Sequence, residues 1–380
     1  LRLRFGDGAS ARPDLEAAAA LAQRAGDAGI EALARVRLGE LANVTDGTAA
    51  AAPWFDEARA LARSVGDVRV ECLAVLGQVD GATGASAEAR AEEALVLARR
   101  IGDLGLEAVA LGKLGIAAFV ADQRARAREL HQRAAALARR VGHRDAEATA
   151  IGNLANTFNG HDPASAIHWY EAALDAFRQI GNIRLEALAR TNLGGQYVLL
   201  GEADRGRAVL EDALAAIGPL RMPHAEAMVR ANLGVALGDL GRPDEAIAQL
   251  ERSLALAAAA PGNTRAVIGD ASITLAQLEP PERAEARLAA IERGGPDGMH
   301  DYAWHRLRLR RAILRASTDP AGAAATLAAV ERDIAAGPPE SRSFRLATDL
   351  DEARRVIRGE LSTASSAAAP ISPPARGTPG

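Results

Sequence analysis

Residues 181–222 read GNIRLEALARTNLGGQYVLLGEADRGRAVLEDALAAIGPLRM, and this stretch spells out one complete structural unit. Gly181-Asn182 ends a helix, because Gly enters the left-handed cap conformation without steric cost. From about Ile183 to Leu200 the apolar residues Leu185, Leu188, Leu193, Tyr197 and Leu200 follow a 3.6-residue period, which predicts an amphipathic helix. Gly201 marks a turn, and Ala208, Val209, Ala213 and Leu214 predict a second helix after it.

Outward from this unit the same signs recur. Terminal glycines stand at Gly26, Gly66, Gly102, Gly142 and Gly181, with a blank near Arg221-Met222-Pro223, where a different bend is expected. A Leu-Gly pair follows each at Leu38-Gly39, Leu76-Gly77, Leu114-Gly115, Leu193-Gly194 and Leu233-Gly234, with Leu154-Ala155 in the fourth place. Successive pairs lie 38, 38, 40, 39 and 40 residues apart. A repeat of this length built from helices predicts a solenoid whose units bury their apolar faces only against neighbours. The small residue of each pair lets the partner helix approach closely. Length variation falls at hairpin tips, Gly81-Ala82-Thr83-Gly84 and Gly160-His161-Asp162-Pro163.

Composition agrees. Ala supplies about a quarter of the 380 residues while aromatics make up 3%, so burial proceeds through many small contacts between close helices. A net charge of −4 offers no basic surface for phosphates, which argues against nucleic acid as a partner. The single Cys72 suggests a reduced, cytoplasmic setting. No long apolar run suggests a membrane span. The chain opens on Leu1-Arg2-Leu3-Arg4 without Met, so it is expected to be a piece of a longer protein.

A Glu lies five residues after each terminal glycine (Glu31, Glu71, Glu107, Glu147, Glu186), and Glu226 fits the blank slot. A carboxylate-lined channel is the bolder reading. First-turn acids complementing a helix dipole, with Asp27, Asp67, Asp103 or Asn182 as caps, is the reading adopted. Asp162-Pro163 and Asp319-Pro320 read as cap plus first-turn Pro.

The run Leu193-Gly194, Tyr197, Gly201, Ala208, Ala213-Leu214, and again Leu233-Gly234, Gly241, Ala246, Ser253-Leu254, resembles the tetratricopeptide repeat. The period near 40 is most similar to a longer subclass found in Pins-type spindle adaptors and in C-terminal arrays of bacterial signalling ATPases and regulators. The resemblance covers residues 14–262 well and 263–336 weakly. It implies an all-α, right-handed α-solenoid of antiparallel helix pairs whose first helices line a concave groove for a protein or peptide segment. Four segments are expected: an N-terminal remnant (1–13), the solenoid of about six hairpins (14–294), a C-terminal hairpin and capping helix (295–361), and a disordered tail (362–380).

Just before each pair stand Arg37, Val75, Lys113, Asn153, Asn192 and Asn232. Three successive Asn at one helical position form a ladder of amides able to donate to and accept from a peptide backbone. Asn156 and Gln196 extend this strip, with Lys113 and Arg37 beside it. In chaperone-binding members of the family an Asn here helps grip a peptide carboxylate. The Lys residues that accompany it are missing, so such a clamp is not expected. The alternative for the amides is that they bridge neighbouring helices or stay solvated.

Chemistry is otherwise sparse. Gly112-Lys113 lacks the earlier Gly of a phosphate loop and is followed by Leu114. Gly234, Gly238 and Gly241 fall inside a helical pattern. His161 with His168, and His300 with His305, lack metal-ligand spacing. The expected function is a non-enzymatic protein- or peptide-binding scaffold without cofactor or metal. The alternative is a regulatory arm of a larger bacterial signalling protein, its partner an upstream domain of the same polypeptide.

Overall fold

The computed structural model describes residues 8–220, 222–260, 264–297, 299, 301–337 and 344–362. Part of the expected N-terminal remnant and nearly all of the expected tail lie outside the described residues, as do Arg221, Gly298 and His300. Among the described residues there are eighteen α-helices and no strand. They form two compact units, Leu1–Thr157 with Ala172–Asn182, and Phe158–Glu171 with Ile183–Gly380. The first holds α1 (Gly8–Ala25), α2 (Ala28–Thr45), α3 (Thr48–Val65), α4 (Val68–Asp80), α5 (Gly84–Arg100), α6 (Leu104–Val120), α7 (Arg124–Arg140), α8 (Arg144–Asn156) and the later part of α9 (Pro163–Ile180). The second holds the start of α9, then α10 (Ile183–Leu199), α11 (Ala203–Ile217), α12 (Pro223–Asp239), α13 (Pro243–Ala259), α14 (Arg265–Leu278), α15 (Pro281–Arg293), α16 (Asp301–Arg315), α17 (Pro320–Ala336) and α18 (Phe344–Ile357). Short connections make neighbours antiparallel. The sequence boundary at residue 294 falls on the turn between α15 and α16, inside the second unit.

The junction chemistry follows the expected caps. Gly26, Gly66, Gly102, Gly142 and Gly181 all have φ between +66° and +71°. Asp27, Asp67 and Asp103 each accept the N–H three residues on, at 3.0 Å. His143 does the same through Nδ1 at 3.2 Å. The hydrogen bond from Leu106 N–H is the main reason the Asp103 carboxyl is held below its ordinary range. At the blank sixth junction a 3₁₀ turn, Gly218–Leu220, replaces the glycine cap, and Pro223 starts α12. The first-turn acids also form ion pairs. Glu71, Glu107 and Glu147 meet Arg63, Arg99 and Arg139 from the last turn of the preceding helix, at 2.6, 2.9 and 2.6 Å. Glu31, Glu186 and Glu226 pair with Arg35, Arg190 and Arg230 one turn along their own helix.

In four of the six repeats the Gly of the Leu-Gly pair faces a large side chain sixteen positions later, on the second helix. A Cβ at Gly194 would lie 2.6 Å from Leu210 Cγ, and one at Gly234 would lie 2.5 Å from Leu250 Cγ. Phe55 of α3 occupies the same place against Gly39 and also reaches Gly77 of α4, so one ring closes two contacts. In the third repeat the facing residue is His131, whose ring lies 2.6 Å from a Cβ placed at Gly115. Cys72 is an ordinary core residue, its thiol bonded to Ala94 O at 3.3 Å and pushed up to about 11 by burial. Tyr197 is fixed by Glu171 at 2.8 Å and by Arg205, which donates to its hydroxyl at 2.8 Å and lies 4.1 Å from its ring. Arg205 makes these contacts while most of its side chain stays exposed.

Two expectations follow. Gly→Ala inside a helix normally gains roughly 0.5–1 kcal/mol. Gly234→Ala is expected to lose about 1–3 kcal/mol instead, because Leu250 fills the space. Gly112→Ala has nothing within 4 Å and should gain the ordinary increment; urea unfolding of both variants checks the contrast.

His131 is fully buried, neither ring nitrogen has a hydrogen-bond partner, and burial lowers its pKa to about 4 from 6.5. As pH falls below 6.5 the unfolded chain takes up this proton first. Stability is whole above 6.5, declines between 6.5 and about 4, and is lower by roughly 3 kcal/mol beyond that. His131→Leu, matching Leu210 and Leu250, is expected to remove that increment of acid sensitivity; unfolding measured across pH 4–7 tests it.

Candidate binding groove

The six positions before the Leu-Gly pairs meet different fates. In the first unit, Arg37 pairs with Glu40 at 2.7 Å, and Val75 is buried in the core. Lys113 binds Asp80, whose other oxygen accepts from Asn43 at 3.2 Å. Asp80 thereby links three successive first helices, α2, α4 and α6, and Lys113 is occupied. Asn153 on α8 is half-buried, and no hydrogen bond reaches its amide among the described residues.

In the second unit, Asn192 is hydrogen-bonded to the hydroxyl of fully buried Tyr170. Burial pushes that phenol upward, and the amide's donation tempers the effect. Asn232 is half-buried, lies against Gly195 of α10, and makes no hydrogen bond among the described residues. Gln196 is buried; it donates to Asn159 and accepts the Gly160 N–H at 3.3 Å, so it braces the turn ahead of α9. Asn156 is already engaged. Among the described residues Asn153 and Asn232 thus keep amides without a hydrogen bond, Asn192 and Gln196 bridge to neighbouring segments, and Lys113 is held in its ion pair.

Asn232 opens onto a cavity of about 510 Å³ in the second unit. Its wall is a stripe of α12 at four-residue spacing, His224, Met228 and Asn232, with Ala231 and Val235 beside it. A second stripe, Ala266, Asp270 and Thr274 of α14 with Val267, faces it. Asn159, Met299, Tyr302 of α16 and Arg345 of α18 complete the lining. This volume suits a few residues of an extended chain or a small ligand. The walls are mixed: two thioethers and two valines provide apolar contact, and amides and charges sit at defined points.

The charges are organised around Arg306 of α16, which is buried and donates to Asp349 at 2.6 Å and to Asp270 at 3.1 Å. Burial would lower the Arg306 pKa, but Asp349 and Asp270 outweigh it and hold it above the ordinary value. Arg310 pairs with Glu352 at 2.9 Å. These two pairs fasten α18 to α16. Arg345, at the start of α18, makes no such pair, and its pKa is lowered first by burial and then by Arg306.

The sequence reading found Asn232 but not the residues around it. Extending its helical face by steps of four gives Met228 and His224, so that signal was present. Arg345 carried none, because it stands outside the repeat register.

A larger hollow, about 960 Å³, runs along the helix junctions of the first unit at Gly102–Gly105, Val141–Asp145 and Gln179–Ile180. Its Asp103 and His143 are spent as helix caps. Among the described residues no cluster of His, Cys, Asp and Glu is placed to hold a metal ion, and no helix is long and apolar enough to cross a membrane.

A search among curated proteins finds no significant match. Solved structures share the fold. A Rap protein complexed with competence and sporulation factor is 12% identical, with 90% of this chain and 99% of that chain covered and a TM-score of 0.60. NprR in complex with its cognate peptide NprX is 15% identical, with 85% and 96% covered and a TM-score of 0.59. A signal transduction ATPase with numerous domains and a tetratricopeptide repeat sensor, from Pyrococcus horikoshii, is 14% identical; 87% of this chain and 55% of that one are covered, with a TM-score of 0.54. At these identities the likeness concerns fold alone. The tetratricopeptide repeat family itself matches residues 106–179 and 185–259. Those residues match the tetratricopeptide repeat model, and the chain shares the helical-solenoid fold of its structural neighbours.

Proposed function

We propose that the second unit binds an extended peptide segment of a protein in the cavity between α12, α14 and α18. The observation that carries this reading is Asn232. It is a half-buried amide without a hydrogen bond among the described residues, on the helix that forms the longest wall of a cavity of about 510 Å³. Its polar atoms are not enclosed, so water holds them until a ligand takes its place. A peptide N–H and C=O match both halves of the amide. Met228 and Met299 offer thioethers that adapt to side chains of differing shape. Two structures of like fold, the Rap protein and NprR, are complexes with a signalling factor and a peptide, in keeping with this reading.

A second reading places the chain as the sensor portion of a larger signalling protein. It is supported by the likeness to the Pyrococcus horikoshii ATPase, whose remaining length this chain does not cover. The two are compatible, since a sensor acts through what it binds.

The test is direct. A fluorescein-labelled degenerate octapeptide pool is titrated with the 380-residue chain and read by anisotropy. Asn232→Ala is expected to weaken binding about tenfold, the worth of one or two hydrogen bonds, with unfolding unchanged. Asn192→Ala is expected to do the reverse, lowering stability by about 1–3 kcal/mol because Tyr170 loses its partner. Unaltered affinity in Asn232→Ala would remove the assignment.

A further inference from the structure

Among the described residues, Arg345 is the charged group of this cavity without a hydrogen-bonded or ion-paired partner. Its Nε is enclosed and makes no hydrogen bond, and no ion pair or hydrogen bond reaches the side chain among the described residues. Three carboxylates attract it from beyond contact distance, those of Asp270, Asp239 and Asp349. Two of the three are already claimed: Asp270 and Asp349 both accept from Arg306. Asp239 is engaged in an interaction of its own. The Arg306 guanidinium adds repulsion. A guanidinium cannot shed its proton in water, so burial is met by pairing or carried as a cost.

The arrangement around it has a direction. Arg345 and Asn232 line one cavity, from α18 and α12 respectively, with Met299 and Val267 also in the wall. A carboxylate entering this space meets the planar fork of donors that suits it best. The chain bearing it passes the Asn232 amide, and an apolar neighbour rests on the thioether and the valine.

From this geometry we infer that the groove selects segments carrying a carboxylate, which Arg345 binds from α18. The proposal rests on the peptide-binding reading above and sharpens it: the recognising charge comes from beyond the family-matched repeats, and α18 belongs to the site as well as closing the stack. The carboxylate is that of an acidic side chain or of a chain terminus.

Three labelled octapeptide pools separate these sources: amidated and free of acids, amidated with one Glu, and acid-free with a free C-terminus. The whole chain is expected to bind one or both carboxylate pools at least about tenfold more tightly than the neutral pool. Arg345→Gln is expected to abolish that preference and to keep or raise the urea midpoint, since an unpaired charge is removed. Equal binding of all three pools by the unaltered chain overturns the proposal, as does a preference surviving in Arg345→Gln. A lowered midpoint in that variant overturns it too, by assigning Arg345 to the fold. If the pools bind equally but Asn232→Ala weakens them all, peptide binding stands and only the carboxylate selection falls. If no pool binds, both fall.

Discussion

The architecture depends on one contact made again and again: a side chain from the second helix of a pair resting against the backbone of the first, where the first helix carries glycine. Gly39, Gly115, Gly194 and Gly234 are met in this way by Phe55, His131, Leu210 and Leu250. Helices normally pack 8–10 Å apart, and removing a side chain at the crossing brings them toward the near end of that range. The close approach lets alanine-rich surfaces touch, since Ala has too little reach to fill a wider gap. Most of the buried hydrophobic residues are accordingly Ala, with Leu, Ile, Val and a few rings placed where pairs meet. The same dependence explains why His131 is an outlier. The site demands bulk, and imidazole supplies it at the cost of two ring nitrogens left without hydrogen bonds.

Charge plays a second, separable part. Along the junctions, Arg–Glu pairs connect the last turn of one helix to the first turn of the next, with the Arg partner exposed, so solvent screens them and each contributes little. They add to caps and left-handed glycines that have already fixed the turn. In the last helices the pairs are interior. Arg306 with Asp349, and Arg310 with Glu352, hold α18 on α16 beside an apolar cluster that includes Leu309, Ile313, Leu346 and Val356. Pairs of this kind yield little net stability against an apolar replacement, yet losing one partner is costly, on the order of 3–5 kcal/mol. They set where α18 lies more than how strongly it is held.

The sequence carried the repeat in full view because three independent constraints coincide at fixed spacing. A left-handed cap requires Gly at the junction, a helix start favours Asp and Glu, and a close crossing excludes any long side chain. Each acts within a few residues of the backbone it shapes, so helix limits such as Ile183 and Leu199 were legible within a residue or so. Contacts between helices were less so. The ladder read as one row of six positions is, in the folded chain, an ion pair at Arg37, a core residue at Val75, an interhelical link at Lys113, a bond to a buried phenol at Asn192, and, among the described residues, amides without a hydrogen bond at Asn153 and Asn232. Register specifies which face a residue occupies, not which partners wait there. Tyr170 and Asp80 decide the outcome, and both lie in neighbouring helices.

Arg345 shows the limit of that logic from the other side. Nothing periodic marks it, since it falls past Pro338-Pro339 in a segment without repeat spacing. Its meaning comes from what surrounds it after folding: acids already bound to Arg306, an unpaired amide across the cavity, and thioethers between. Because α18 is anchored through Arg306 and Arg310, the position of Arg345 does not rely on any bond of its own. A guanidinium held in place by its neighbours and left unpaired is preorganised for an anion. The ordering that such an anion would otherwise have to impose has been met by the fold, through pairs that lie elsewhere on the same two helices.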